Sequence, residues 1–453
     1  MGRANLSKHL VGLFIFICVM CLFPAFLLAA DGPTLADLTG TWNFNACATG
    51  SDSPWWDRGT ITVASDGKFS GGYSKQSDGK VKTNSTGSFS ISSAGIRLSV
   101  NGKDNLLCQI NSYNTVLSCT ETWSDGSTSL TILTKQAASY SKADLAGTWQ
   151  LNYLMSGPEF GWGRGPVETG SDGKYTGTLT LSDGSKIPTS GQLSISPTGT
   201  IKCVKGDCLD FSNLGEVMDA GKTVIVATSG ASSSAEPALL YVFTKEAASY
   251  SKADLAGTWE GNSLASGPGA PFWDRISMTL NSAGTGTGSS YDSLGGTHKK
   301  KSMSGVKISS NGVVSFPNID SDTSAVMDAS KTVIIYTSTW AGDTDPGTTD
   351  LVVFTKVASV PRAPTIVKVT PGNEEATVSF TPPALNGNSA ITSYTVTATP
   401  GKHKVSENVS TTKKFTPITM KGLTSGTPYK FTVTATNAMG TSPASTSITA
   451  TPR

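Results

Sequence analysis

Three short segments combine aromatic side chains with an arginine, residue types that can stack a sugar ring or an apolar ligand. In each, a Trp precedes an Arg by two residues, and further aromatics stand beside the Trp. The nine residues are Trp55, Trp56, Arg58, Phe160, Trp162, Arg164, Phe272, Trp273 and Arg275. They are the candidate ligand-binding residues, at the mouths of three similar modules. Packing over a small core or between modules is the interpretation that the sequence favours, because small barrels are usually filled by side chains.

Catalytic signatures are missing from the sequence. Its three histidines, His9, His298 and His403, are too scattered for a Ser-His-Asp or Cys-His site. The chain has no P-loop or dinucleotide fingerprint, and we expect neither a metal nor a cofactor. Paired carboxylates suffice for glycoside hydrolysis, so they keep one alternative open. We expect a protein that is not an enzyme, with an extracellular carbohydrate-active enzyme or accessory protein as the alternative.

The N-terminus and the charge balance bear on location and partners. Residues 1–30 resemble an export signal, because Arg3 and Lys8 precede an apolar run that ends in two alanines. A retained membrane anchor is the alternative. Without this segment 33 basic residues balance 33 acidic ones, so we expect no nucleic-acid partner. The prediction is a secreted, extracellular or cell-surface protein without a membrane span after signal cleavage, with the periplasm as the alternative.

Five cysteines follow the predicted signal, and export favours their pairing. Cys108 with Cys119, and Cys203 with Cys208, are close enough in sequence to face each other across neighbouring strands. Cys47 is left without a predicted partner.

The elements that must position these residues occur in three copies. A Gly-Thr-Trp opening recurs at intervals of 107 and 110 residues, and each copy closes with an apolar strand that ends in Thr-Lys. Intervals of this size mark tandem modules. Alternating runs between Asp-Gly and Asn-Gly turns predict about eight short antiparallel strands per module. An up-and-down barrel is favoured because it leaves no exposed edge, and a two-sheet sandwich is the alternative.

The opening also carries a family resemblance. Gly-x-Trp on the first strand of an eight-stranded meander resembles the lipocalin and avidin (calycin) superfamily. The resemblance implies a Trp that plugs the closed end of the barrel and a basic residue of the last strand that packs over it. The residues concerned are Trp42, Trp149 and Trp259 for the plug and Lys135, Lys245 and Lys356 for its cover. The recurring Asn45, Asn152 and Asn262 fall on the opposite strand face, so we expect no biotin site.

The last segment, 361–453, is unlike the repeats and resembles a fibronectin type III domain over its whole length. Tyr429 stands where such sandwiches place the tyrosine corner, with a buried ring and a hydroxyl bonded to the backbone. Phe380 replaces the usual buried Trp.

The sequence thus predicts an all-β chain of three tandem antiparallel up-and-down β-barrel modules and a C-terminal immunoglobulin-like fibronectin type III sandwich. The predicted boundaries are 1–30 for the signal, 31–138, 139–247 and 248–359 for the barrels, and 360–453 for the sandwich. We expect an exported bacterial surface or extracellular protein that binds or adheres multivalently. Its partner would be an unknown extracellular ligand, glycan or surface protein, and a purely structural envelope scaffold is a further alternative.

Overall fold

The computed structural model describes residues 33–50, 54–92, 95–101, 103–207, 216–230, 236–316, 324–339, 347–383, 386–387, 391–401, 403–409, 417–437 and 440–453. The predicted signal, Cys208 and His9 lie outside these residues. Within them, no helix has the length and apolar character that crossing a membrane requires. The fold is all-β, as predicted.

The first module is a closed barrel of eight antiparallel strands, in which each strand pairs with the next and the last with the first. Its strands are β1 Gly40–Thr49, β2 Trp55–Val63, β3 Lys68–Gln76, β4 Val81–Ser92, β5 Gly95–Val100, β6 Lys103–Ile110, β7 Val116–Thr122 and β8 Thr128–Lys135. The turn before β3 shows how the sequence stops a strand. Gly67 has a φ of 80°, and Asp66 Oδ1 accepts a hydrogen bond from the backbone N–H of Lys68.

The second module is a closed barrel with the same strand order. Its strands are β9 Gly147–Ser156, β10 Gly161–Thr169, β11 Lys174–Leu181, β12 Lys186–Ile195, β13 Thr200–Asp207, β14 Glu216–Met218, β15 Val224–Gly230 and β16 Ala238–Lys245. The prediction of eight-stranded antiparallel barrels is therefore confirmed for the first two modules.

The third module is the same meander with one interrupted strand. Its strands are β17 Gly257–Ser266, β18 Asp274–Leu280, β19 Gly286–Asp292, β20 Thr297–Met303, β21 Lys307–Ile308, β22 Val313–Ser315, β23 Ala325–Met327, β24 Val333–Thr339 and β25 Thr349–Val357. Strands β20 and β21 follow each other where β12 runs continuously in module 2. Between them Gly305 has a φ of 76°, a conformation that breaks a strand. The result is a nine-stranded sheet with β20 and β21 at its ends, so closure of all three barrels is not observed.

The fourth module is a two-sheet sandwich. One sheet contains β26 Thr365–Pro371, β27 Glu375–Thr381 and β30 Ile418–Lys421, and the other β28 Ile391–Thr399, β29 His403–Asn408, β31 Tyr429–Asn437, β32 Gly440–Thr441 and β33 Ile448–Ala450. Tyr429 is buried, and its hydroxyl accepts a hydrogen bond from the backbone N–H of Thr424 at 3.1 Å. Phe380 packs against Tyr394, with ring centroids 4.9 Å apart.

The three repeated modules pack around one shared apolar core. Strand β1 contacts β15 and β16, β9 contacts β24 and β25, and β17 contacts β7 and β8. The core takes equivalent side chains from the closing strands of all three modules: Leu130 and Ile132, Leu240 and Val242, and Leu351 and Val353. Residues next to them on the same strands, such as Leu133 and Phe243, face the interiors of their own modules. These closing strands are therefore buried on both faces, and the modules form a pseudo-threefold block.

Candidate functional site

Each predicted plug tryptophan lies beneath its predicted lysine. In module 2, the Trp149 indole Nε1 donates a hydrogen bond to the Leu145 carbonyl at 2.8 Å. Lys245 pairs with Trp149 in the strand register, and its Nζ lies 5.3 Å from the ring centroid. Lys245 Nζ also donates to the Asp144 carbonyl at 2.9 Å. The same contacts recur with Trp42, Leu38, Lys135 and Asp37 and with Trp259, Leu255, Lys356 and Asp254.

These contacts make one end of each module a closed, structural end. Trp42 and Trp259 have no exposed surface, and Trp149 has 2 %. Burial lowers the pKa of Lys356 to about 8, which reflects the cost of holding an ammonium against an aromatic ring away from water.

Strand alternation separates the aromatic–arginine segments into two faces. In β2, Trp55 and Asp57 point into barrel 1, whereas Trp56 and Arg58 point out of it toward module 2. The Trp56 indole Nε1 donates to the Gly230 carbonyl at 2.6 Å, and Arg58 donates to the Thr228 carbonyl at 2.8 Å. The Arg58 guanidinium also lies 4.5 Å from the centroid of the Trp56 ring. One Trp-x-Arg unit therefore joins the first module to the second.

The second unit repeats this geometry between modules 2 and 3. Trp162 Nε1 donates to Thr339 Oγ1 at 2.8 Å, Arg164 donates to the Thr337 carbonyl at 2.8 Å, and the guanidinium lies 4.1 Å from the ring centroid.

The third unit returns to module 1. Trp273 Nε1 donates to Thr122 Oγ1 at 2.9 Å, and Arg275 donates to the carbonyl and hydroxyl oxygens of Thr120, each at 2.9 Å. Because the units run from module 1 to 2, 2 to 3 and 3 to 1, they close a ring.

The recurring asparagines belong to the same interface. Asn262 Nδ2 donates to the Ser118 carbonyl at 3.0 Å, and Asn45 Oδ1 accepts from Thr228 Oγ1 at 3.1 Å. Asn152 Oδ1 accepts from Thr337 Oγ1 at 3.4 Å. Their predicted position on the face opposite the plug Trp agrees with these contacts.

The nine residues predicted to bind a ligand thus do not form three equivalent mouths. Six of them are the Trp-x-Arg units, which pack between modules, one of the two packing arrangements that the sequence favoured. Phe272 is buried, while Phe160 is 41 % exposed and lies against Gly267 of module 3. Ligand binding by the set as a whole stays a prediction, and Trp55 is the member that lines an internal cavity.

The cysteines follow the prediction where the structure describes them. Cys108 and Cys119 form a disulfide between β6 and β7, as predicted. Cys203 is disulfide-bonded. Cys47 is free and buried within the shared core, and burial raises the pKa of its thiol to about 12.

The interior of barrel 1 contains a cavity of about 180 Å³ that is partly open to solvent. An engineered apolar cavity of about 150 Å³ holds benzene, so this space fits one ring with a short substituent. At the end away from the plug, Trp55 and Trp123 meet edge to face with centroids 5.3 Å apart. The deeper wall is mainly apolar and is formed by Phe44, Ile61, Phe69, Leu98, Leu106 and Leu133.

Asp57 is the acidic side chain in the wall of this cavity. Ser74 Oγ and Gln76 Nε2 donate to its Oδ2 over the long distances of 3.4 and 3.3 Å. Among the described residues, its buried Oδ1 has no hydrogen-bond partner. Burial raises the pKa of Asp57 to about 6, while Ser74, the Lys82 cation and Gln76 act in the opposite direction. Asp57, Lys82 and Trp123 were not singled out by the sequence, although Asp57 sits within the Trp-x-Arg motif.

In barrel 2, larger side chains stand at positions that border this space in barrel 1. Ala46 pairs with Asp57 in barrel 1, and the equivalent pair in barrel 2 is Tyr153 with Gly163. A Cβ at position 163 would lie 2.2 Å from the Tyr153 ring, so the tyrosine requires the glycine opposite it. Tyr241 stacks beside Tyr153 with centroids 5.2 Å apart, where barrel 1 has a threonine.

In module 3 the interior carries a different aromatic cluster. Phe316, Tyr336 and Phe354 lie with ring centroids 6.2 to 6.4 Å apart. By register, Tyr336 stands where barrel 1 has Cys119, and Phe354 where it has Leu133. Opposite Phe354 module 3 has Gly261, where barrel 1 has Phe44 opposite Leu133, so the large ring comes from a different strand in each module.

Comparison with known proteins identifies the C-terminal module. Residues 361–451 match the fibronectin type III domain family, and with its two-sheet fold this module is a fibronectin type III domain. No curated protein matches the chain by sequence.

Three solved structures show low similarity. A DUF3598-family protein of unknown function from Nostoc punctiforme is 14 % identical, covers 47 % of this chain and 97 % of its own, and has a TM-score of 0.18. The isotype 1 transferrin binding protein B of Neisseria meningitidis is 11 % identical over 70 % of this chain and 76 % of its own, at a TM-score of 0.21. The chicken CNTN1 FN1–FN3 domains are 11 % identical over 77 % of this chain and 97 % of their own, at a TM-score of 0.19.

Proposed function

We propose that this chain is an exported, non-enzymatic binding protein in which the interior of barrel 1 holds a small ligand. The observation that carries the proposal is the cavity of about 180 Å³, walled by apolar side chains and bordered by Trp55 and Trp123. Ligand sites are concave, largely apolar and supplied with a few polar groups. The predicted signal, the Cys108–Cys119 disulfide and the fibronectin type III domain all support an extracellular or surface location.

The proposal assigns one small-ligand site to each chain. The repeats alone suggested three equivalent mouths, but in barrel 2 Tyr153 and Tyr241 stand where barrel 1 has Ala46 and Thr131. The ring of Trp-x-Arg units and the shared apolar core pack the three modules into one block, and the fibronectin type III domain follows it as a separate module. Extracellular partners of that domain would add adhesion to the small-ligand site.

Intrinsic fluorescence of the full chain tests the binding proposal. All nine tryptophans precede residue 361, so the signal reports the three-module block and not the fibronectin domain. A panel of single-ring compounds should give a saturable change, because Trp55 and Trp123 border the cavity. The double variant A46Y/D57G copies the Tyr153–Gly163 pair of barrel 2 and should abolish that change. Equal responses from wild type and this filled variant would refute the proposal.

Absence of enzymatic activity has its own test. Purified full chain should not turn over glycans or peptides at a rate above that of the A46Y/D57G variant. Turnover that the filled variant loses would make the barrel interior an active site and would overturn the non-enzymatic part of the proposal.

A further inference from the structure

We propose that the ligand of barrel 1 is a small organic cation, an ammonium group on a single aromatic or apolar ring, with the ammonium bound by Asp57. This inference rests on the proposed function and specifies the chemistry of the same site. It follows from the only partly satisfied Asp57 carboxylate, the apolar depth of the cavity and its size.

One oxygen of the Asp57 carboxylate lacks a hydrogen-bond donor. Oδ1 of Asp57 is buried and, in the described part of the chain, accepts no hydrogen bond. A buried acceptor without a donor costs about 1–3 kcal/mol, and more when it is charged. Asp57 as a whole is half-buried and lines the cavity, so a ligand that fills the cavity displaces solvent from this carboxylate and has to supply a donor.

The negative charge of Asp57 favours a cationic ligand. Lys82 on β4 is exposed and acts on Asp57 through its electrostatic field. It donates no hydrogen bond to Asp57 among the described contacts. A neutral donor would leave the carboxylate buried without a close countercharge, whereas an ammonium supplies both hydrogen bond and charge. An anionic ligand would add a second negative charge next to Asp57.

The apolar wall of the cavity favours a ring in the rest of the ligand. Phe44, Ile61, Phe69 and Leu133 form an apolar floor below Asp57, where a ring can replace water. The rings of Trp55 and Trp123 at the entrance present further faces, and their negative π-surfaces favour a cation over an anion. The cavity volume limits the ligand to about one ring and a chain of two or three atoms.

Three ring compounds of matched size separate these contributions. We would measure the dissociation constants of 2-phenylethylamine, 2-phenylethanol and phenylacetate with the full chain at pH 7.5 by calorimetry and tryptophan fluorescence. The amine should bind at least about tenfold more tightly than the alcohol, which corresponds to about 1.4 kcal/mol. Phenylacetate should bind most weakly.

Two variants assign the preference to Asp57. In D57N the side chain keeps its shape and loses its charge, so the amine should fall to the affinity of the alcohol, whose own affinity should hardly change. A46Y/D57G should bind none of the three. Thermal unfolding of each variant shows whether the block is intact, and the unchanged alcohol affinity of D57N provides a second check on its cavity.

The pH dependence gives an independent readout. Amine affinity should rise between pH 5 and pH 7.5 as Asp57 ionises, because its pKa is about 6, and should be flat in D57N. The groups that face Asp57 are Ser74 and Gln76 from β3, Lys82 from β4 and Ala46 from β1, and the backbone N–H of Arg58 on its own strand lowers its pKa.

Each outcome decides between the two proposals. Equal affinities for amine and alcohol in wild type, both lost in A46Y/D57G, would overturn the cation inference and leave the binding function standing. An amine preference that survives in D57N would place the cation elsewhere and also overturn the inference. No binding of any probe by wild type, at millimolar concentration, would refute this inference. The proposed function would fail only if the wider panel also gave no difference between wild type and the filled variant.

Discussion

Replacing Trp162 by Ala should destabilise the three-module block severely. Trp162 is buried, with 3 % of its surface exposed. It contributes a hydrogen bond to Thr339 at 2.8 Å and carries the Arg164 guanidinium at 4.1 Å. Truncation of a buried Trp costs about 3–5 kcal/mol through lost transfer free energy and a residual cavity. Arg164 would also lose the ring on which it stacks.

Urea unfolding of the full chain, followed by tryptophan fluorescence, measures this loss. Phe160→Ala is the matched control, because this aromatic residue lies two positions away in the same segment and is 41 % exposed. The control should lose less than about 1.5 kcal/mol, in proportion to the smaller area that it buries. If W162A lost no more than F160A while small-ligand affinity fell, Trp162 would be a binding residue and the ring of interface contacts would not hold the modules together.

Three further predictions concern other parts of the chain. Burial raises the pKa of Glu260 to about 8, although the Ser277 hydroxyl donates a hydrogen bond to it, so its stabilising contribution is lost as pH rises from about 4.5 to 8. The E260Q variant should therefore show a smaller fall in urea midpoint between pH 5 and 8 than wild type. Parallel plots of urea midpoint against pH for the two proteins would contradict this. The C108S/C119S variant should lose about 2–4 kcal/mol, and a reductant should shift its unfolding less than that of wild type, because the disulfide of Cys203 remains. Tyr429→Phe should lower the free energy of unfolding of the fibronectin domain, measured by calorimetry, by about 1 kcal/mol. The unfolding transition followed by tryptophan fluorescence should stay unchanged.

The fold of each module was predictable because its signals are local. Period-two alternation, Asp-Gly turns and the recurring Gly-Thr-Trp opening define strands, hairpins and module length. The register that pairs Trp149 with Lys245 follows from the order of the strands once the barrel closes. The broken strand at Gly305 was not predicted, since one glycine between two polar runs does not distinguish a bend from a turn.

The assembly of the modules was not predicted, although a signal for it exists. The closing strands are apolar on consecutive residues, as in Leu239-Leu240-Tyr241-Val242-Phe243, which indicates burial on both faces. One face is the module interior, so the other has to be covered by a neighbour. What the sequence does not reveal is which module covers it, because the accepting groups Thr120, Thr228 and Thr337 offer mainly backbone carbonyls.

The cavity was missed for a related reason. The space inside a barrel depends on the summed volumes of side chains from several strands that are distant in sequence. No single residue type in the sequence therefore indicates a cavity. Ala46 and Asp57 are unremarkable in the sequence. Their meaning comes from comparison with Tyr153 and Gly163, which only the register identifies as equivalent.

Alternation along one strand explains how a repeated block can hold a single site. The outward residues Trp56 and Arg58 recur in all three modules, since each ring contact needs them. The inward residue between them varies freely: it is Asp57, Gly163 or Asp274. Because successive side chains point to opposite faces, a change in the barrel interior leaves the interface unaltered. The block can therefore keep its pseudo-threefold ring while the interior of barrel 1 keeps a cavity beside Asp57, so D57N should change ligand selectivity without loosening the modules.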